Sequence, residues 1–192
     1  MPGKQARLLS ESYLKRALGQ AAASSHPERN AVIILLSARA GLRACEIARL
    51  EWSMVLNANG RIAPYICVED RIAKKRGGRR VPIHPELRQA LWALLRETAE
   101  RRGPVIRSAR GGGLRPNSLV NWFREMFASI GAEGCSSHSG RRTFITHAAR
   151  RAHKAGASLR DVQLLAGHRS IEVTQGYIDG DTEAQRRLVM GL

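Results

Sequence analysis

The sequence predicts a mainly α, α+β domain in which a helical chain carries one small antiparallel β-sheet near its middle. Three observations lead there. The stretch before Trp52 divides into Ser-capped or Pro-started segments with apolar residues at helical spacing. Between Trp52 and Ile83 the pattern turns extended, β-branched and turn-rich. From Pro85 to the end the helical pattern returns. With 192 residues, 43% of them hydrophobic, the chain can bury a real core as one domain. No internal repeat or long linker divides it.

Ser10 followed by ESYLKRALGQAAA reads as a capped helix, and Pro27 opens a second, apolar enough to be buried, that stops at Gly41. A short third helix follows in LRACEIARL, where Leu42, Ile47 and Leu50 share a face. Asn57–Gly60 is a turn, and IAPYICVE and RRVPIH are extended runs flanking the Gly77-Gly78 turn, with Pro82 placing the second at an edge. Pro85 starts a helix that runs on to Gly103-Pro104, and RSARGGGLRPNS is a loop. Asn117 or Ser118 caps LVNWFREMFASIG, and Ser137 or Ser139 begins a helix running to Gly156. Ser158 caps LRDVQLLAG, closed by Gly167, and Ser170 caps IEVTQGYI. Trp52, Trp92 and Trp122 fall at core positions, so packing is expected of them rather than base stacking. His26, His84, His147 and His153 have no chemical context and read as structural or exposed.

Charge narrows the function class. There are 32 Lys and Arg against 16 Asp and Glu, a net charge of +16 and a pI near 11.3. A field that strong favours polyanions, nucleic acid first among them. Cys45, Cys67 and Cys135 make an odd count with no CxxC pair, which argues against a disulfide framework and a zinc site. No metal or other cofactor is expected. The longest apolar stretch, Ala31 to Leu36, is far short of the roughly 20 residues that cross a bilayer. The start, MPGKQARLL, lacks a secretory pattern. A soluble, cytoplasmic chain without a membrane partner is the expectation.

Breaking a phosphodiester without a metal needs a nucleophile, cations on the phosphoryl oxygens and an acid for the leaving alkoxide. Arginine suits the cationic task, because its planar fork pairs with two oxygens and stays charged. Four segments supply such residues: Gly41-Leu-Arg-Ala-Cys-Glu-Ile-Ala-Arg-Leu50, Lys74-Lys-Arg-Gly-Gly-Arg-Arg-Val-Pro-Ile83, His138-Ser-Gly-Arg-Arg-Thr-Phe-Ile-Thr-His147, and Leu164-Leu-Ala-Gly-His-Arg-Ser-Ile-Glu-Val-Thr-Gln-Gly-Tyr177. Taken singly, each is bland: a lone Tyr in an amphipathic helix usually packs, and a lone Arg is usually solvated. Together, two Arg, two His, a Lys and a Tyr are poor core material and make sense around one phosphate.

In that order, the segments resemble the boxes of the tyrosine recombinase (phage integrase) family: Arg followed by Glu, a basic hairpin ending in Val-Pro, HxxR, and a Gly-His with Tyr nine residues on. The resemblance implies a helical catalytic domain that cuts and rejoins double-stranded DNA through a 3′-phosphotyrosine. It also implies the roles. Tyr177 attacks, Arg43 and Arg141 hold the nonbridging oxygens, and Lys74, or its neighbour Lys75, protonates the leaving 5′ oxygen. His138 is the tyrosine's acid/base partner, His168 adds a hydrogen bond to the phosphate, and Glu46 orients Arg43. Lys75, Arg76, Arg79, Arg107, Arg110, Arg115 and Arg142 are expected on DNA. The resemblance further implies a bacterial or phage-encoded, nucleoid-associated protein and oligomers on DNA formed through the tail after Tyr177. The alternatives are a non-catalytic DNA-binding remnant and type IB topoisomerase-like relaxation.

Residues 1–192 are expected to form the catalytic domain alone, because only about 40 residues precede the first box and no N-terminal core-binding domain is seen. The stretch from Arg141 to His168 is about one helical turn longer than usual in the family, around Arg150 to Gly156. Arg142 stands where a second His is common.

Overall fold

The computed structural model describes residues 6–73, 77–178, 186, 189 and 190. Ser10 caps α1 (Glu11–Ala22), its hydroxyl accepting from the Tyr13 N–H at 3.2 Å. Pro27 starts α2 (Pro27–Ala38), and α3 (Ala44–Ala48) follows the turn at Gly41. The sheet is β1 (Tyr65–Val68) antiparallel to β2 (Arg79–Pro82), with Tyr65 opposite Pro82 and Val68 opposite Arg79. Then come α4 (Pro85–Thr98), α5 (Pro116–Ser129), α6 (Ser139–Arg151), α7 (Leu159–Ala166) and α8 (Ile171–Gln175). The fold class read from the sequence is the one observed. Among the described residues no helix is long and apolar enough to cross a membrane.

Several boundaries move for local reasons. α4 stops at Thr98, short of Gly103, because Ala99 takes a left-handed conformation (φ 53°). α5 starts at Pro116, before either Asn117 or Ser118, since proline's fixed φ suits a first helical position. α6 ends at Arg151, and the residues before Gly156 form a 3₁₀ turn, His153–Ala155, instead of a longer helix. α8 closes at Gln175, where the Tyr177 N–H bonds to Thr174 O at 3.1 Å, so Tyr177 stands in a turn beyond the helix. The expectation that all three tryptophans pack is corrected at Trp92. α4 buries Leu87, Leu91, Leu94 and Leu95, and Trp92 lies off that stripe, 53% exposed, with the Arg96 guanidinium 4.6 Å above its ring. Trp52 is buried and Trp122 half-buried.

α2 is the central helix, packed against α1, α4 and α6. Its Ile33, Leu36 and neighbours join Leu42, Ile47, Leu50, Trp52, Leu87 and Phe123 in the main core. At the end of α2, Arg39 forks onto both Glu11 oxygens at 2.9 and 3.0 Å and reaches Glu86 at 2.7 Å, tying α1 and α4 to α2. A smaller cluster, Ile145, Ala152, Val162 and Ala166, joins α6 to α7, with Phe144 and Tyr177 packed on it.

Two glycines set the approach of α6 to α2. Gly140 faces Ser37, where a Cβ would overlap the serine side chain. Gly41 has a φ of 64°, and a Cβ there would run into the Phe144 ring. The close approach brings Arg141 beside the backbone of the first motif.

Candidate active site

The site is assembled from the ends of short elements. Arg43 is the N-cap residue of α3, and Glu46 sits one turn later, where the helix turns inward and leaves its carboxylate wholly buried. A buried carboxylate needs cations, and it has two. Arg79 of β2 forks onto both oxygens at 3.0 and 2.9 Å, while Arg43 Nη1 donates to Oε1 and Arg43 N to Oε2, at 2.9 and 2.8 Å. Burial pushes the Glu46 carboxyl up, but the bonds and charges of Arg79 and Arg43 outweigh it and bring the group down to about 2.

Arg141, on the first turn of α6, is 3% exposed. It donates through Nη1 to Gly41 O at 2.5 Å and through Nη2 to Ala166 O at 2.6 Å. One guanidinium therefore bridges the turn before α3 and the C-terminal end of α7, whose terminal carbonyls form the negative pole of the helix. Desolvation, then Arg43 and Arg79, lower its pKa to about 10, so it is still a cation at neutral pH.

His168 follows Gly167, the left-handed cap of α7. Its Nε2 lies 3.0 Å from Arg141 Nη2, its Nδ1 lies 3.0 Å from Thr174 Oγ1, and its carbonyl accepts from Gln163 Nε2 at 3.0 Å. Desolvation, then Arg141, Arg43 and Arg79, depress its pKa to about 4. The ring is thus neutral at pH 7. Facing a guanidinium, Nε2 acts as an acceptor, which puts the proton on Nδ1, donated to Thr174. Tyr177 stacks on that ring, with centroids 5.4 Å apart and planes 24° apart, and its carbonyl accepts from Thr146 Oγ1 at 3.3 Å.

Arg141, His138, Arg142 and Tyr177 line one cleft of about 300 Å³. His138, the N-cap residue of α6, is exposed on its rim. A larger groove of about 930 Å³ lies elsewhere, between α4 and the turn at Asn59–Ile62, and holds none of these residues. The arrangement concentrates three guanidiniums around one carboxylate, and that surplus of positive charge suits a phosphate. Among the described residues no cluster of three His, Cys, Asp or Glu could hold a metal ion.

The structure brings Arg43, Glu46, Arg141, His168 and Tyr177 together. Lys74, Lys75 and Arg76 lie outside the described residues. Arg79 departs from its expected place on DNA: its side chain is 4% exposed, and besides Glu46 it donates to Leu165 O at 2.8 Å. Arg107 pairs with Glu100 at 2.5 Å, and Arg142 donates to Ala6 O at 2.7 Å. Arg110 and Arg115 are exposed. Sequence reasoning missed Thr174 and Gln163, both buried and both hydrogen-bonded to His168. Their signal was positional, since a polar residue on the buried face of a helix near the His–Tyr pair needs a partner.

Residues 7–184 match the model of the phage integrase family. The chain belongs to that family. Among curated relatives, a tyrosine recombinase XerC of Rhodospirillum centenum is 32% identical over 139 residues, covering 70% of this chain and 40% of the relative. Another, from Erythrobacter litoralis, is 30% identical over 186 residues, covering 91% and 56%. The chain thus spans about half the length of the curated relatives it matches. The family fold is also that of solved structures. The crystal structure of XerA recombinase aligns over 100% of this chain and 65% of that one, with a TM-score of 0.74 and 24% identity. A lambda integrase dimer bound to a COC′ core site aligns over 93% and 49%, with a TM-score of 0.70 and 19% identity.

Proposed function

We propose that this chain cuts and rejoins double-stranded DNA through a 3′-phosphotyrosine at Tyr177, in site-specific integration, excision or resolution. The observation that carries the reading is that Arg43, Arg141, His168 and Tyr177, which are distant in sequence, are brought together, with more positive charge than the one buried carboxylate, Glu46, can balance. A relay of packing residues would not concentrate uncompensated guanidiniums beside a tyrosine.

In this reading the scissile phosphate balances the surplus positive charge. Arg43 and Arg141 bind its nonbridging oxygens, so that charge developing on phosphorus meets fixed cations. His138 removes the Tyr177 proton, the phenolate attacks phosphorus, and the bond to the 5′ oxygen breaks. Lys74, or Lys75, returns a proton to that oxygen. Religation reverses each step, and the phosphotyrosine conserves the energy of the broken bond, so no high-energy cofactor enters. The Thr174 hydroxyl can accept or donate. Neutral His168 can therefore move its proton to Nε2 and donate to the phosphate. Arg110, Arg115 and Arg142, with Lys75 and Arg76, extend the contacts along the DNA backbone, with Arg107 a weaker member because Glu100 already holds it. Residues 1–192 act here as a catalytic domain, and the protein works at the nucleoid. The exposed Val189 and Met190 support protomer contacts through the tail on DNA.

A nicked suicide substrate tests the reading. The wild-type chain should accumulate a covalent adduct, and Tyr177→Phe should bind DNA equally well and form none, while Tyr13→Phe and Tyr65→Phe should react normally. An adduct on Tyr177→Phe would overturn the assignment. A substrate with a 5′-bridging sulfur, which leaves unprotonated, should rescue Lys74→Ala. Rescue of Lys75→Ala alone would move the acid by one residue.

A further inference from the structure

We infer that Arg79 is a positioning residue for DNA cleavage, fixing the phosphate-binding arginines through Glu46 and locking the basic hairpin against the end of α7. The inference rests on the recombinase reading above and adds a residue to its machinery.

Geometry carries it. Arg79 belongs to β2, directly after the run Lys74–Arg76 and Gly77-Gly78 in the sequence, yet its side chain is 4% exposed and turned inward. All three of its nitrogens donate. Nε binds Leu165 O at 2.8 Å, while Nη1 and Nη2 bind the two Glu46 oxygens at 3.0 and 2.9 Å. One side chain therefore joins the hairpin, α3 and the C-terminal end of α7. The phosphate-binding positions depend on two of those three. Arg43 is held by Glu46, Arg141 is anchored on Ala166 O, the residue after Leu165, and His168 follows the same helix end. The hairpin strand that leads back to the basic run is held by Arg79 as well. A lysine could reach one of these acceptors but could not fork onto a carboxylate and bind a carbonyl at once. An arginine on a basic hairpin that touched DNA would instead point outward, as Arg80 does, exposed over the Tyr65 ring at 4.6 Å.

The charged groups facing Glu46 are Arg43 on its own element, Arg79 from β2 and Arg141 from α6. Removing Arg79 leaves the buried carboxylate with Arg43 as its bonded cation, so burial pushes its pKa up. Protonated, Glu46 no longer holds Arg43. The consequence is a change in pH profile that a merely weakened fold would not produce.

The test compares Arg79→Gln and Arg79→Lys with wild type on the suicide substrate. Three readouts are taken: single-turnover adduct rate against pH, duplex DNA affinity, and the Glu46 carboxyl followed by carbon-13 NMR in glutamate-labelled protein, assigned with Glu46→Gln. Arg79→Gln should react roughly 10–100-fold more slowly, the range for groups that support a functional residue. Its deficit should widen as the pH falls, its Glu46 should titrate higher, and its DNA affinity should stay within about twofold of wild type, since it touches no DNA. Arg79→Lys should fall between the two, and it carries the test if Arg79→Gln does not fold. A wild-type rate in both variants at every pH overturns the role while leaving the recombinase reading intact. A loss of DNA affinity that matches the loss of rate also overturns it and makes Arg79 a DNA contact. If the wild-type chain forms no adduct at all, the recombinase reading fails and this role fails with it, even with Glu46 paired as described.

Discussion

Replacing His168 with Gln should remove a specific part of the protein's sensitivity to acid. In the folded chain the imidazole is pressed between Arg141 and Thr174, and its pKa falls from the ordinary 6.5 to about 4 through desolvation and the fields of Arg141, Arg43 and Arg79. The unfolded chain binds a proton on this group below about 6.5, whereas the folded chain refuses it until about 4. The stability linked to His168 is therefore fully present above 6.5 and is lost as the pH falls through 4. At about 1.4 kcal/mol per pH unit the gap amounts to roughly 3 kcal/mol. His168 keeps partial access to water, which cuts the expectation to about 1–2 kcal/mol. The assay is urea denaturation of wild type and His168→Gln at closely spaced pH values across that window, at fixed salt. The quantity of interest is the difference between the two proteins, since the other titrating groups are common to both. Wild type should lose about 1–2 kcal/mol more than the variant between pH 6.5 and 4. Parallel stability curves would show that His168 titrates normally in the fold, and the neutral imidazole bonded to Arg141 would have to be abandoned.

Arg141→Ala and Arg43→Ala should each slow cleavage by about 10²–10³. Arg141→Ala should also melt markedly lower, because it leaves the carbonyls of Gly41 and Ala166 without their donor, at about 1–3 kcal/mol each; an unchanged melting point would contradict that anchoring role. Gly140→Ala should destabilise by about 1–3 kcal/mol as its methyl meets Ser37, and an unchanged melting temperature would mean that α2 and α6 can separate freely. Duplex binding should weaken with salt at a slope near −0.9 per phosphate neutralised. A flat salt response would be incompatible with a +16 chain that binds through backbone phosphates.

Much of the molecule was legible in one dimension. Caps and breakers act within a few residues, so Ser10, Pro27, Ser158 and Gly167 marked helix ends that the fold keeps. Motif spacing likewise named Arg43, Glu46, Arg141, His168 and Tyr177, which the structure gathers. Legibility failed where a competing local preference settled a boundary, as with the left-handed Ala99 that ends α4 early. It also failed where the helical face, and not the residue type, decides burial, as with Trp92.

The sequence by itself determined the fold class, the strong positive charge and the identity of the groups available for chemistry, because composition, periodicity and capping are properties of neighbours along the chain. Only the tertiary structure decided which cations remain for a ligand. Arg79 and Arg80 are adjacent in the same basic run, and nothing in their order tells them apart. The alternation of a strand turns one inward, where a buried carboxylate on α3 and a helix end on α7 capture it, and leaves the other over Tyr65 in solvent. The same holds for His168, whose protonation depends on two arginines from other segments and one from a strand far upstream. Electrostatic interactions act through space, so the charge state of the site becomes readable only when the chain has folded around it.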